Sequence, residues 1–214
     1  MFVIRELRQI RALGSPARQA IVDALETMGP CSAFELGEVV GRTSDRLYYH
    51  LQILKKAGLV RSRRERNRAG RLQERFDLPG RPTRLRYLPS DPKNVAAITK
   101  LVGAALRDAH RAFGKAFTQD AVVQGAGRTL WAGRRTGWLA AREITRLNAL
   151  LQQVIRMLER PRRGRQGARL YSFTFAFSPY GEAPSNAAER SARTPRRGKA
   201  GPRQSGAASA RLRS

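Results

Sequence analysis

Along the first half of the chain apolar residues recur at spacings of three and four, interrupted by glycine, proline and serine. In FVIRELRQIRAL, Val3, Leu7, Ile10 and Leu13 fall on one side of a helix. The pattern breaks at Gly14 and restarts at Ser15-Pro16. There serine can accept from the first free amides, and proline fits because its missing N–H is not needed. The helix so opened, SPARQAIVDALETM, gathers Ala20, Ile21, Ala24, Leu25 and Met28 on one face and ends at Gly29-Pro30. SAFELGEVV begins at Ser32 with Glu35 three residues on, the spacing of a capping box, which predicts a short helix. Gly41 suits the left-handed backbone of a tight turn. TSDRLYYHLQILKKAG follows, with Thr43 or Ser44 as its cap and Leu47, Leu51 and Leu54 as its buried stripe.

Beyond Gly58 the period changes. LVRSRRER is extended in character, NRAGRLQE reads as a turn bending at Asn67 and Gly70, and FDLPGRPTRLRYLP reads as a second extended segment. In that segment Leu85 and Tyr87 alternate with Arg84 and Arg86. The expectation is a long β-hairpin with an arginine-covered face, its pairing limited by Pro79 and Pro82. PSDP at 89–92 is the best internal boundary. After it, KNVAAITKLVGAALRDAHRAFGKAF predicts a long helix with Val95, Ile98, Val102, Ala105, Ala109 and Phe113 on one face. RTLWAGRRTGWL reads as a strand or hairpin. A helix from about 140 to 160 carries Ile144, Leu147, Leu151, Val154 and Leu158, and ARLYSFTFAFSP alternates like a strand with Tyr171, Phe173, Phe175 and Phe177 on one face. From Gly181 onward Leu212 is the only large aliphatic residue, so this tail is expected to be disordered and basic. The pattern thus predicts a mainly helical α+β chain: a helix-turn-helix domain with a wing over residues 1–89, a small α+β dimerisation or effector domain over 93–180, and a tail over 181–214.

Composition narrows the function. The chain has 214 residues, 41% of them hydrophobic, with 42 Lys+Arg against 16 Asp+Glu for a formal charge of +26. Nucleic acid is the first polyanion such an excess would face, because neutralising phosphates releases counterions. An anionic membrane surface is the competing reading. No run of about 18 apolar residues is present to span a bilayer, and the N-terminal segment lacks the continuous apolar core of a signal peptide, so a soluble cytoplasmic protein is expected. Cys31 is the only cysteine, and His50 and His110 are the only histidines. No internal disulfide, thiolate zinc site or Ser-His-Asp arrangement follows from these, so neither an enzyme nor a cofactor is expected.

Three short helices, the second and third joined by a tight turn and the third followed by a basic hairpin, describe a winged helix-turn-helix. Over residues 10–89 the chain resembles the ArsR-type branch of bacterial winged-helix regulators. The resemblance rests on LGSPARQAIVDAL, on the S-x-x-E start at Ser32, and on YYHLQILKKAGLV, which is similar to that family's HLxxLxxAGLV. It implies a dimer that binds operator DNA sequence-specifically, usually in repression. Metal-sensing members carry a Cys-x-Cys pair before the recognition helix, or His and Asp pairs in the last helix. SAFELGEVV and the C-terminal helices lack these, so no metal site is expected.

With the leucine stripe inward, Tyr48, Gln52 and Lys55 lie about 100° round the helix, with Ser44 and Asp45 leading in. Gln52 suits adenine, Tyr48 and Ser44 suit phosphates or base edges, and Lys55 suits the backbone. Thr43 and Arg46 join this set. Tyr49 shares a third face with Ile53, expected to pack at the wing or first helix with its hydroxyl near a phosphate, and His50 is expected as a hydrogen-bonded core residue. Arg63, Arg64, Arg66, Arg68 and Arg71 would straddle the minor groove or phosphates. In the C-terminal half, Trp131, Trp138, Tyr171 and Phe173 offer either an aromatic wall for a small-molecule effector or ordinary core. The partners expected are double-stranded DNA and a second copy of the chain. A nonspecific nucleoid-associated or RNA-binding protein is the alternative that charge alone permits.

Overall fold

The computed structural model describes residues 1–66, 70–118, 120–159 and 169–181. By contacts the chain divides into two units, Met1–Phe177 and Ser178–Ser214, and of the second only residues 178–181 are described. The elements of the first unit run β1 (Phe2–Ile4), α1 (Leu7–Ala12), α2 (Pro16–Met28), β2 (Cys31–Ser32), α3 (Ala33–Val40), α4 (Ser44–Lys56), β3 (Arg61–Arg66), β4 (Leu72–Asp77), β5 (Thr83–Leu85), α5 (Pro92–Lys115) and α6 (Ala141–Leu158). The arrangement is mixed α+β, with a helix-turn-helix in its N-terminal part.

The opening periodicity splits where one helix was expected. Phe2–Ile4 pairs in parallel with Thr83–Leu85, and α1 begins only at Leu7. Phe2, Val3 and Ile4 are aromatic and β-branched residues that suit a strand. The side-chain oxygen of buried Gln9 accepts from the backbone N–H groups of Arg5 and Glu6, both at 3.1 Å, and stops the helix from extending backwards. The helices that follow start and stop near their sequence signals, although Ser15 stands at the N-cap of α2 without a side-chain cap bond. Pro16 stands in the first turn of α2, and Ile21 and Leu25 are fully buried. At α3 the predicted box is present: Glu35 N–H donates to Ser32 Oγ at 3.2 Å, and Ser32 N–H donates to Glu35 Oε2 at 2.8 Å. Leu47, Leu51 and Leu54 of α4 are all at 0% exposure. Burying side chains of that size contributes about 1.5–3 kcal/mol each, enough to fix the rotation of α4 about its own axis.

The turn between α3 and α4 depends on two glycines. Gly41 sits at φ 64°, ψ 41°, the left-handed region. Gly37 matters for a different reason: a Cβ there would stand 2.5 Å from the backbone carbonyl oxygen of Arg42. That same turn is closed by Arg42 N–H donating to Gly37 O at 3.1 Å.

A three-stranded antiparallel sheet, in the order β2-β4-β3, packs beside α4. Its register corrects the expected hairpin. The partner of RSRRER is LQERFD, whose first three residues were expected in the turn and whose last two open the expected second extended segment, while Thr83–Leu85 leaves for β1. Phe76 decides this pairing: it is fully buried, lies opposite Ser62 on one side and Cys31 on the other, and anchors β4 to the core.

Helix α5 starts with Asp91, whose Oδ1 accepts from Lys93 N–H at 2.9 Å. Its first half packs on α1 and α2 through Ile98, with Leu101 and Val102 at the margin of the core. Gln19 ties the three helices together, its Nε2 donating to Leu13 O at 2.8 Å and to Leu101 O at 3.2 Å. Further on the chain buries little. Helix α6 has no buried residue and is tethered by Arg84 to Glu159 at 2.6 Å. The expected strands in RTLWAGRRTGWL and ARLYSFTFAFSP are not formed: among the described residues no strand follows Leu85. An alternating segment becomes a strand only when a neighbour satisfies its backbone ladder, and these two have none among the described residues. The tail expected to be disordered lies outside the described residues apart from Gly181.

Gly37→Ala should lower stability by about 1–3 kcal/mol, because the new methyl meets backbone and not a side chain that can swing away. Gly114→Ala, whose Cβ would meet nothing within 4 Å in helix α5, should be neutral or slightly stabilising. Thermal melts of the two variants, read side by side, check the contrast.

Candidate nucleic-acid interface

The buried stripe of α4 leaves one outward stripe. Residues at +4, +7 and +11 from Asp45 stack on the same side of a helix, which groups Asp45, Tyr49, Gln52 and Lys56 opposite the leucines. All four are exposed, Tyr49 at 68%. Arg46 is exposed on one flank of this stripe. Thr43, the N-cap, makes no side-chain cap bond, and Ser44 is half-buried behind it.

The other flank belongs to the wing. The Tyr48 ring meets Phe76 edge-on with centroids 6.1 Å apart, and Lys55 Nζ lies 6.0 Å from the same ring and 3.1 Å from Glu74 Oε1. The two tyrosines therefore exchange the places expected for them: Tyr48 leans on the wing and Tyr49 points outward. Lys55 is committed to the wing, while Lys56, which the sequence reading passed over, takes the outward position. Its signal was available in the +11 spacing from Asp45. Glu74 is held below its ordinary carboxylate range by the hydrogen bond from Ser62, assisted by Lys55 and by the charge of Arg64, against the opposing effect of burial. An ionised Glu74 thus joins the recognition helix to the wing.

Alternation along the wing divides its arginines between two faces. Ser62, Arg64 and Arg66 lie across from Phe76, Glu74 and Leu72, on the side of α4. Arg61, Arg63 and Glu65 lie on the opposite side across from Asp77, Arg75 and Gln73. There Arg63 is paired with Glu65 at 2.6 Å, and Arg75 reaches Glu65 at 3.6 Å and Glu35 at 3.7 Å. Arg66 Nη1 donates to Gly70 O at 2.8 Å, which closes the wing tip. Arg71 is exposed at the start of β4, and Arg68 lies outside the described residues.

His50 is half-buried, not enclosed. Its ring meets Tyr49 edge-on at 5.4 Å, and its buried Nδ1 has no hydrogen-bond partner among the described residues. Burial, with the nearby charges of Arg18 and Arg42, holds its pKa below the ordinary 6.5. Neutral His50 thereby supports the outward tyrosine without adding charge.

The aromatics of the C-terminal half are not walled in within the single chain. Trp131 is 74% exposed with the Arg128 guanidinium 4.1 Å from its ring, and Trp138 is 100% exposed. Tyr171 and Phe173 are about half exposed, Phe173 being stacked on Phe175 at 5.3 Å. Neither the core reading nor an enclosed pocket describes them there. Among the described residues no group of three or more His, Cys, Asp or Glu could hold a metal ion, and no helix is long and apolar enough to cross a membrane.

A family model described as a helix-turn-helix domain matches residues 13–63, the span from the end of α1 into β3. A solved structure of Bordetella bronchiseptica BpsR, whose DNA binding is regulated by 6-hydroxynicotinic acid, is 16% identical with a TM-score of 0.29, covering 65% of this chain and 77% of that one. That likeness is too distant to carry an assignment. No curated protein matches. The family model and the arrangement of α3 and α4 agree in making residues 13–63 a helix-turn-helix domain.

Because the folded state holds the pKa of His50 down, protonating it opposes folding. Its contribution to stability is intact above pH 6.5 and is lost as the pH falls from there through the lowered value. Melting temperatures between pH 7.5 and 5.5 should therefore fall more steeply for the wild type than for His50→Gln.

Proposed function

We propose that this chain is a sequence-specific regulator of transcription that binds double-stranded DNA as a homodimer in the cytoplasm and represses by occupying its operator. The observation that carries the reading is the outward stripe of α4, clear of the core and flanked by arginines of the wing. In this reading α4 enters the major groove. Gln52 is suited to a bidentate contact with adenine, Tyr49 and Arg46 to base edges or phosphates, and Arg64 and Arg66 to the backbone beside the groove. The resemblance to ArsR-type regulators supports the same assignment. A basic protein without sequence preference, binding any duplex or RNA, is the alternative outcome of the test below.

Dimerisation is proposed because two recognition helices must meet half-sites about 34 Å apart. The support is α6, where Ile144, Leu147, Leu151, Val154 and Leu158 repeat at alternating steps of three and four, the spacing that closes one helix on another. None of them is buried in the single chain. Trp131, Trp138, Tyr171 and Phe173 would line a small-molecule effector site only with a second protomer closed over them.

Competition binding tests the DNA reading. A preferred duplex should resist excess random duplex and structured RNA at raised salt, and equal competition by all three would overturn it. Gln52→Ala should relax sequence preference and leave random-duplex affinity little changed. Arg64→Ala should weaken every duplex alike and lower the salt slope by about one. For the dimer, Leu147→Glu with Leu151→Glu should halve the mass seen by sedimentation without lowering the melting temperature of the N-terminal domain. A mass unchanged by the substitutions would remove α6 from the interface.

A further inference from the structure

A carboxylate stands in the middle of the surface assigned to DNA. Asp45 is exposed on the outward stripe of α4, one turn before Tyr49 and two before Gln52, in a chain whose formal charge is +26. Its side chain has no hydrogen bond or ion pair with any described residue, whereas Glu65 and Glu74 on the adjoining wing are both engaged by cations. The acids of the adjoining wing are thus paired, while Asp45, on the stripe the proposed function turns to DNA, is not.

An acidic residue in the first turn is favoured by the helix dipole. That benefit would come equally from an acid on the core-flanking or wing-flanking side, and it does not require the outward stripe. Against DNA an unpaired carboxylate raises the free energy of binding to any sequence through repulsion by the phosphates. It repels the acceptors of guanine, O6 and N7, and O4 of thymine. The one base whose major-groove edge offers only a donor is cytosine, through its N4 amine. An unpaired Asp therefore lowers affinity everywhere and restores it at cytosine, which is how a site discriminates by penalising the wrong partners.

We infer that Asp45 is a specificity-determining residue that reads a cytosine N4 amine in the major groove, at a position adjoining the one read by Gln52. This rests on the DNA-binding reading above, and it adds a base identity to that reading. No other side chain of the outward stripe is confined to accepting hydrogen bonds: Gln52 both donates and accepts, Tyr49 does the same, and Lys56 only donates.

Selection from a random duplex library with the full chain, followed by affinity measurements on single-position variants of the selected site, tests it. The wild type should select a site with a cytosine whose replacement weakens binding by on the order of tenfold or more. Asp45→Asn, which can both donate and accept, should change the preference at that position from cytosine to adenine and leave the others intact. Asp45→Ala should lose preference at that one position while gaining affinity for random duplex. A defined site selected identically by all three proteins would overturn the role of Asp45 and leave the regulator reading standing. Failure of the wild type to select any site would overturn both.

Discussion

A helix has about 3.6 residues per turn, so the stripe that α4 buries decides the stripe it can offer. Leu47, Leu51 and Leu54 are completely enclosed. Turning the helix by one residue, about 100°, would lift them into water and drive Arg46 or His50 towards the core, at a cost of several kcal/mol. With that rotation locked, the position of the wing is locked too. Tyr48 and Lys55 project from the flank next to the leucines and rest on Phe76, and Lys55 reaches Glu74. Phe76 belongs at once to the core and to the strand that pairs with β3. One apolar ring thus sets the distance between a helix that can enter a groove and the arginines that can lie beside it.

The helices were legible because their signals are local. Ser32 with Glu35, Pro16 in the first turn of α2, Gly41 in the turn and the leucines of α4 all act within one or two turns of themselves, and the structure follows each, though Ser15 makes no side-chain cap bond. Strands are chosen by partners far away in sequence, and there the reading slipped. LQERFD carries a single fully buried apolar residue, Phe76, and its partners at Cys31 and Ser62 leave no mark within the segment itself. FVI is too short for its period to distinguish strand from helix. The outward stripe differs for the same reason. The expected set is Tyr48, Gln52 and Lys55, but Tyr48 and Lys55 lean on Phe76 and Glu74 of the wing, which nothing local in α4 signals, and Asp45, Tyr49, Gln52 and Lys56 stand opposite the leucines.

The C-terminal half poses a different problem, one of missing neighbours and not of misread periods. Helix α6 was legible from Ile144 through Leu158, yet the chain provides no surface to cover that stripe among its described residues. An 18-residue helix gains little stability from propensity alone and depends on packing. The aromatic run from Tyr171 to Phe177 has the alternation of a strand without a ladder to join. In the proposed homodimer a second copy would cover both, which is why it carries the same weight in the proposed function as the recognition helix.

Charge explains affinity here but not selectivity. Most of the 42 basic residues are dispersed along the chain, and a uniform positive field attracts every phosphate backbone equally. Discrimination has to come from the few outward groups whose donors and acceptors are fixed in place. Four features of the fold restrain those groups: the leucines beneath α4, the edge contact of His50 on Tyr49, the Lys55–Glu74 pair on one flank and the turn at Gly37 and Gly41 that launches the helix. A carboxylate among them makes physical sense only under that restraint. On a mobile loop it would swing away from the phosphates and read nothing, whereas in the first turn of a helix whose rotation is locked it is held on the outward stripe that the proposed function turns to the groove.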